Sequence, residues 1–278
     1  MEKAVRLFIF CLLLCGVAVT TYAGGPFGVD KRRVIVEGST TVLPIAQAAA
    51  EDFMRQNPDT DVTVRGGGSG VGIASLIDKN CDVADASRAI KEAELEKAVG
   101  NGVSPKAHVV AMDGICLIVN TSNPVSALSR KQVKDIFSGQ ASYWSDLGGK
   151  AEKIVVISRD TSSGTFEAFG ELVMKGAKVR PDALMQASNQ AVASTVSRTP
   201  GAIGYAGLGY VSSEVKALEI DGVRPSKESV LGGQYPIARP LFMYTNGTPE
   251  GTVRDFIDFV KSDEGQKIAN EQGFVALK

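Results

Sequence analysis

The chain has 278 residues, 44% of them hydrophobic and 22% charged, which is typical of a globular protein and argues against disorder. Thirty basic residues nearly balance 31 acidic ones, so no strong electrostatic field is available to attract nucleic acid. The single histidine and the lack of a Cys-x-x-Cys pair argue against a metal site of the zinc type. The length allows two domains of ordinary size.

The first residues have the pattern of a secretory signal. Lys3 and Arg6 precede the apolar run LFIFCLLLCGVAV, and small residues follow it. The run is short for a membrane span, which needs roughly 20 apolar residues. We therefore predict export, with cleavage after Ala23 and removal of residues 1–23. Lipid attachment at Cys15 is the alternative, and it is disfavoured because a bulky leucine precedes this cysteine.

Two cysteines, Cys81 and Cys116, remain after removal of the signal. An oxidising compartment permits a disulfide between them. The sequence leaves open whether they meet, because pairing depends on their separation in the fold.

The rest of the chain alternates β-branched runs, which predict strands, with amphipathic stretches, which predict helices. The predicted strands are RRVIVEG (32–38), DVTVRGG (61–67), CDVADASR (81–88) and KIVVIS (153–158). The helices that follow have apolar residues at helical spacing, and the first of them begins near Pro44. This alternation predicts an α/β protein with largely parallel sheets.

Each of these units places Ser, Thr and Gly between the end of a strand and the start of a helix. The most polar of these loops, SRDTSSGT (158–165), contains Arg159 and five hydroxyl side chains. One such loop is explained by helix capping, but loops of this kind converge at the carboxyl ends of parallel strands, where ligands bind. Helix starts favour anions, and a guanidinium donates to tetrahedral oxyanions. We predict a small oxyanion held by neutral donors; separately capped helices are the alternative.

Motifs of common enzymes are absent. GGGSGVG (66–72) lacks the Gly-Lys-Ser/Thr of a Walker loop and the spacing of a dinucleotide loop, and Ser69 is not in a Gly-x-Ser-x-Gly elbow. His108 is the one imidazole, and it is more simply structural than catalytic. We therefore predict that the protein is not an enzyme. Trp144 is expected to pack rather than bind ligand, and several arginines are predicted to be solvated surface residues: Arg180, Arg198, Arg224 and Arg239.

Four segments, taken together and in order, resemble the periplasmic phosphate-binding proteins of high-affinity phosphate ABC transporters: GSTTVLPI (38–45), GGGSGVGI (66–73), SRDTSSGT (158–165) and TPGAIGY (199–205). The C-terminal stretch 256–277 is similar to the last helix of many solute-binding proteins. The resemblance implies a type II periplasmic-binding-protein fold, with two α/β lobes joined by a two-strand hinge. Lobe 1 would be residues 30–112 plus 237–278, lobe 2 residues 113–236, and the hinge strands would lie near 112–120 and 238–246.

The resemblance also implies the ligand-binding residues. Those expected to bind phosphate are Ser39, Thr40, Thr41, Ser69 and Gly70 from lobe 1, and Arg159, Ser163, Gly164 and Thr165 from lobe 2. The chain departs from the best-known members, which have an aspartate where Ser87 is followed by Arg88. A Ser-Arg ending is similar to other branches of the family, so both residues are expected at the ligand. An ion pair with a carboxylate is the alternative role of Arg88.

The missing aspartate matters because it would accept the proton that phosphate keeps near neutral pH, which sulfate lacks. Here the acceptor could be Asp85 or Asp160, or the site could lack one. The resemblance implies a monomeric periplasmic protein that binds inorganic phosphate and delivers it to an inner-membrane ABC permease, with no cofactor. Alternatives are a binding protein for sulfate or molybdate, a phosphate-ester hydrolase, and a surface or sensory protein with the same lobes.

Overall fold

The structure, a computed structural model, describes residues 32–277. The predicted signal peptide, residues 1–23, and Cys15 lie outside the described residues. Within 32–277, no helix has both the length and the apolar character needed to cross a membrane.

The first part of the fold consists of three parallel strands, each followed by a helix, as the sequence predicts. The elements are β1 (Arg32–Gly38), α1 (Leu43–Gln56), β2 (Thr60–Gly66), α2 (Ser69–Ile77), β3 (Val83–Ala86) and α3 (Glu92–Gly100). Strand β1 lies between β2 and β3 and is parallel to both. A proline in its first turn suits α1, because the ring cannot donate a hydrogen bond and the first amides need no helical acceptor.

Two long strands join this part of the sheet to the second part. Strand β4 (Pro105–Asn120) pairs antiparallel with β11 (Ala238–Asn246) as far as Gly114. From Ile115 onward, β4 pairs instead with strands of the second part. The sheet is therefore mixed rather than largely parallel, because β4 connects the two parts of the fold and is antiparallel to its neighbours in both. These strands include the predicted hinge segments 112–120 and 238–246, while the lobe limits stay a prediction.

The second part repeats the strand–helix pattern around β6 (Val155–Arg159), which is parallel to both of its neighbours, β7 (Leu184–Gln186) and β8 (Ala202–Gly207). Its elements are β5 (Ala127–Leu128), α4 (Arg130–Ser138), β6 (Val155–Arg159), α5 (Gly164–Phe169), β7 (Leu184–Gln186), α6 (Asn189–Arg198), β8 (Ala202–Gly207), β9 (Val215–Ala217), β10 (Glu219–Ile220) and α7 (Lys227–Leu231). After β11 the chain ends with α8 (Gly251–Lys261) and α9 (Asp263–Glu271). The predicted α/β class is confirmed.

Aromatic packing supports the end of strand β6. The rings of Phe169 and Tyr205 stack with their centroids 4.2 Å apart, and Phe137 packs edge-on against Phe169 at 4.8 Å. The Tyr205 hydroxyl lies 2.9 Å from Ser158 Oγ and accepts the N–H of Arg159 at 3.2 Å. Because the ring is locked in the core, this hydroxyl holds the last residues of β6 in place.

One tryptophan and two cysteines are buried in the interior of the protein. Trp144 is 1% exposed and donates its indole N–H to the carbonyl oxygen of Gly201 at 2.9 Å, in agreement with the predicted packing role. Cys81 and Cys116 are both buried and free, so the structure answers the open question of their pairing in favour of two separate thiols. Burial raises the pKa of Cys81 to about 11, which makes its thiol a poor nucleophile at neutral pH.

Candidate anion-binding site

The hydroxyl-rich loops of the two parts of the fold are in direct contact. The amide of Gly70, at the start of α2, donates to the carbonyl oxygen of Ser162 at 2.9 Å. The Ser162 hydroxyl donates in return to the carbonyl oxygen of Gly67 at 3.1 Å. The hydroxyl oxygens of Thr41 and Thr165 are 2.9 Å apart. The loops after β1, β2 and β6, which the sequence predicts to converge, therefore meet at one place.

Hydroxyl side chains from four loops line this place, and we refer to them as the hydroxyl cluster: Thr40, Thr41, Ser69, Ser87, Ser163 and Thr165. All of them are nearly or fully buried. Ser69 Oγ accepts the N–H of Ser87 at 3.0 Å and lies 3.3 Å from the hydroxyl oxygen of Ser87. A buried group of hydroxyls can present both donors and acceptors, which suits a small polar ligand better than an apolar one.

Gly164 brings α5 against this cluster. A Cβ atom at Gly164 would lie 2.8 Å from both Ser69 Cβ and Ser87 Oγ, and closer still to Ser69 Oγ. These distances are below van der Waals contact, so only glycine allows α5 to begin this close to the loops of the first part.

Arg159 is the charged residue whose surroundings point most directly to an anion. It is 1% exposed and donates to two carbonyl oxygens, from Nε to Gln186 at 3.0 Å and from Nη2 to Ala187 at 3.1 Å. Its Nη1 is buried and has no hydrogen-bond partner among the residues that the structure describes. Burial, and to a lesser degree the nearby Arg239, lowers the pKa of Arg159. An anion beside Nη1 would relieve both effects.

Arg239 belongs to the site, and its predicted surface position is wrong. It is 4% exposed and lies on β11 opposite Asp113 of β4, with Nη2 2.9 Å from Asp113 Oδ2. Its other donors reach the carbonyl oxygen of Ser87 at 2.9 Å and the hydroxyl of Thr165 at 3.0 Å. Burial lowers the pKa of Arg239 and raises that of Asp113, while the ion pair opposes both shifts. Of the other arginines predicted on the surface, Arg198 and Arg224 are exposed, whereas the Arg180 side chain is 9% exposed and pairs with Asp182 at 2.6 Å, so its predicted position is wrong as well.

Asn189 is a second residue that the sequence did not reveal. It begins α6 and is 0% exposed. Its side-chain amide nitrogen donates to the hydroxyls of Thr40 at 3.2 Å and Thr41 at 3.0 Å. Asn189 therefore links the second part of the fold to the loop after β1, and the only signal in the sequence is a polar residue after the helix cap Ser188.

Arg88 has the ion-pair role that was its alternative. Its guanidinium lies 2.7 Å from a carboxylate oxygen of Glu94 and also pairs with Glu167 on α5. Lys91 adds a second ion pair to Glu167 at 2.9 Å. Since two carboxylates already surround the guanidinium, Arg88 holds the two parts of the fold together rather than offering free donors to a ligand.

Comparisons with known proteins agree with this arrangement. A model described as "PBP superfamily domain" matches residues 25–264. The phosphate-binding protein PstS of Bacillus subtilis strain 168 is 36% identical over 247 residues, which cover 87% of this chain and 80% of that protein. The PstS of Borreliella burgdorferi is 32% identical over 261 residues, covering 90% of this chain and 91% of that protein. The chain belongs to the PstS family of phosphate-binding proteins.

Solved structures show the same PstS-like fold. A phosphate ABC transporter substrate-binding protein from Clostridium perfringens, solved with bound phosphate, has a TM-score of 0.83 and 33% identity, and the match covers 89% of this chain and 100% of that one. An ABC-type phosphate transport receptor from Vibrio cholerae has a TM-score of 0.73 and 31% identity, covering 87% and 99%. The fold is thus the type II periplasmic-binding fold, with two α/β lobes joined by a two-strand hinge, as predicted.

Three residues of the PstS-like motifs have hydrogen-bond partners within the protein. The hydroxyl of Ser39 accepts the amide of Thr41 at 3.1 Å and so caps the turn that leads into α1, with its own proton still available. The amide of Gly70 is donated to Ser162. Ser163 caps α5 by accepting the amide of Phe166 at 3.2 Å, which leaves its hydroxyl proton available.

The two carboxylates predicted as proton acceptors differ in their surroundings. Asp85 lies on β3 at 1% exposure, and within residues 32–277 neither of its carboxylate oxygens has a hydrogen-bond partner. Burial raises the pKa of Asp85 well above its ordinary value. Asp160 is partly exposed, accepts the amide of Ser162 at 2.9 Å through Oδ1, and has Oδ2 3.8 Å from Arg159 Nη2.

Proposed function

We propose that this protein binds inorganic phosphate between its two lobes. The observation that carries the proposal is the buried Arg159, whose Nη1 lacks a partner among the described residues, beside a cluster of buried hydroxyls. The carboxylate that faces Arg159 is the partly exposed Asp160, with Oδ2 3.8 Å from Nη2, so the buried guanidinium is unfavourable unless an anion compensates its charge more closely. Arg239 adds a second buried positive charge, and the buried Asp113 pairs with Arg239. The PstS names of the relatives and the phosphate-bound structure support phosphate as that anion.

The ligand set that we propose consists of the residues with unused donors rather than the whole predicted set. It comprises Ser39, Thr40, Ser69, Ser87, Arg159, Ser163 and Thr165, together with the amides at Gly164 that begin α5. Thr41 contacts Thr165 instead, Gly70 donates its amide to Ser162, and Arg88 joins the lobes through Glu94 and Glu167.

Asp160 is the proposed acceptor for the proton that phosphate carries near neutral pH. Its Oδ2 lies on the side of Arg159, whereas Oδ1 is held by Ser162. Asp85 is less suited, because burial raises its pKa and so favours the protonated carboxyl, which is a poor proton acceptor.

Delivery of phosphate to an inner-membrane ABC permease by a monomeric periplasmic protein is the physiological role that we propose. The curated relatives are phosphate-binding proteins, and the solved relatives belong to ABC transport systems. Contacts from both lobes to one ligand favour the closed arrangement, which gives the permease a way to distinguish the loaded protein.

Calorimetric titration of the mature chain tests the proposed ligand. The protein would be freed of bound ligand by unfolding and refolding, then titrated with phosphate, sulfate and molybdate at pH 6 and pH 8. We expect one-to-one binding of phosphate and binding of sulfate weaker by several orders of magnitude, because an acceptor carboxylate repels an anion without a proton. If sulfate bound equally well, the proposed ligand would have to be another tetrahedral oxyanion rather than phosphate.

The ester-hydrolase alternative has little geometric support. The hydroxyl oxygens of Ser69 and Ser163 accept backbone amides, and His108 bonds to Thr245 on β11, with 2.9 Å between Nε2 and the hydroxyl oxygen. We expect no turnover of a chromogenic phosphate ester. Steady turnover would support the hydrolase alternative instead.

Gly164→Ala should weaken phosphate binding by forcing α5 away from Ser69 and Ser87. Overpacking costs roughly 1–3 kcal/mol, which corresponds to a loss of about 5-fold to 150-fold in Kd. The matched control is Gly170→Ala on the same helical segment, where an added Cβ meets no atom within 4 Å. Calorimetry should show the loss for Gly164→Ala alone; equal affinities for both variants would contradict the close contact at Gly164.

A further inference from the structure

The contact between Thr41 and Thr165 has a direction that the neighbouring residues determine. The two hydroxyl oxygens are 2.9 Å apart, so one hydroxyl donates and the other accepts. A hydroxyl has one proton and two lone pairs, and its proton turns toward whichever acceptor remains. The direction therefore depends on the donors that surround each oxygen.

Asn189 supplies a fixed donor to Thr41. Its carbonyl oxygen faces the amide of Gly207, an obligate donor, at 3.3 Å. The side-chain nitrogen must then face the threonines, and its two hydrogens are donated to Thr40 at 3.2 Å and Thr41 at 3.0 Å. Since Asn189 is 0% exposed, no solvent competes for these hydrogens. The oxygen of Thr41 is thus an acceptor.

Arg239 supplies a fixed donor to Thr165. Its Nη2 donates to Thr165 at 3.0 Å and lies 3.4 Å from the hydroxyl oxygen of Thr41. A guanidinium has no acceptor, so the threonine oxygens must accept from it. Asp113 fixes the orientation of this guanidinium from the opposite side, and the amide of Leu208 in turn donates to Asp113 at 2.9 Å.

From these contacts we infer that Asn189 and Arg239 are positioning residues that turn the Thr165 hydroxyl into an obligate donor. One hydrogen of Arg239 Nη2 goes to Asp113, and Thr165 at 3.0 Å and Thr41 at 3.4 Å share the other. Since the oxygen of Thr41 already accepts from Asn189 and takes a share of this hydrogen, a proton from Thr165 would be a third donor to it, and the proton of Thr41 therefore goes to Thr165. The oxygen of Thr165 then accepts from Thr41 and Arg239, so both of its lone pairs are used and its own proton must point to a further acceptor.

This inference rests on the proposed function and specifies it further. If phosphate is that acceptor, a phosphate oxygen accepts the proton of Thr165 through a lone pair. Any proton on that oxygen must point away from Thr165, because two donors that face each other would leave a buried polar group unpaired.

A double-mutant cycle tests the action of Asn189 through Thr165. The variants are Thr165→Val, Asn189→Leu and their combination, each titrated calorimetrically with inorganic phosphate, with melting temperatures recorded alongside. Each single change should weaken phosphate binding by roughly tenfold to a hundredfold, the size expected for losing one hydrogen bond to a charged ligand. The combination should weaken binding by clearly less than the product of the two single losses, because Asn189 can no longer act through Thr165 and retains only its contact with Thr40.

Asn120→Leu is the matched control. Asn120 is a buried asparagine that donates to the carbonyl oxygens of Val196 and Ser197 at the other end of α6. Its loss should lower the melting temperature and leave Kd unchanged in both backgrounds. If Asn189→Leu does not fold, Arg239→Lys replaces it in the cycle, because lysine retains the charge without the fork of donors.

The outcomes separate the inference from the proposed function. A double variant that loses less affinity than the product of the two single losses supports the inference. Losses of affinity for Asn189→Leu and Thr165→Val that multiply would overturn it and leave the proposed phosphate binding unaffected. If the parent protein binds no phosphate at all, the proposed function fails first, and the inference fails with it.

Discussion

Arg159→Ala should abolish tight phosphate binding while the protein still folds. The guanidinium is 1% exposed, its nearby carboxylate on Asp160 is partly exposed and 3.8 Å from Nη2, and its Nη1 is a buried donor without a partner among the described residues. Truncating one member of a buried charge pair costs about 2–5 kcal/mol, which corresponds to an increase of roughly 30-fold to 5,000-fold in Kd. Calorimetric titration with phosphate measures this change directly, and circular dichroism confirms the fold.

Two further variants identify what Arg159 contributes. Arg159→Lys retains a positive charge but loses the planar fork, so its phosphate affinity should lie between those of the parent and the alanine variant. Arg198→Ala removes an exposed arginine whose guanidinium contacts Ser194 on the same helix, and it should leave Kd unchanged. An unchanged Kd for Arg159→Ala would show that the anion binds elsewhere.

The strand–loop–helix units of this protein are predictable from the sequence because each depends on residues close together in the chain. The loop between β6 and α5 is an example. Asp160 closes its turn by accepting the amide of Ser162, and Ser163 caps the helix by accepting the amide of Phe166. Both are local hydrogen bonds of kinds for which Asp and Ser are well known. The position of Arg159 at the end of β6 follows from the same local pattern.

The contributions of Arg239 and Asn189 depend on contacts between distant segments and could not be predicted in the same way. Arg239 meets Asp113 across 126 residues of chain, and Asn189 meets Thr41 across 148. Next to a proline, Arg239 resembles a surface residue. One signal was available. Arg239 is two residues before Leu241, and side chains two apart point to the same face of a strand, here the buried face of β11.

The motifs located the site but did not specify which hydrogen bonds were already formed. Gly70 and Arg88 both lie in segments that resemble the family, yet in the structure their donors bond to the protein itself. Whether a polar side chain serves the fold or a ligand depends on its partners across the cleft, and Glu167 on α5 decides this for Arg88. The family resemblance predicts which segments surround the ligand, and only the three-dimensional contacts distinguish ligand donors from structural donors.

Asp85→Asn should make the phosphate-free protein more stable at neutral pH. Burial without a hydrogen-bond partner among residues 32–277 raises the pKa of Asp85 well above its ordinary value. The folded state therefore holds this proton at pH values where the unfolded chain has released it. The free energy of unfolding then falls as pH rises, from the unfolded pKa near 4 up to the folded pKa, by about 1.4 kcal/mol per pH unit. Asparagine has no proton to lose, so this decline disappears in the variant.

Urea unfolding at intervals between pH 4 and pH 8, without phosphate, measures the expected difference. At pH 4 the parent and Asp85→Asn should have similar stability, because a protonated carboxyl and an amide are both neutral in the same buried position. The gap should open with rising pH and stop widening above the folded pKa. Asp146→Asn, a change of an exposed carboxylate, serves as the control and should follow the parent curve. Curves for Asp85→Asn and the parent that stay parallel across this range would mean that Asp85 has a partner or solvent contact in solution, and the carboxylate would again be a candidate for accepting the phosphate proton.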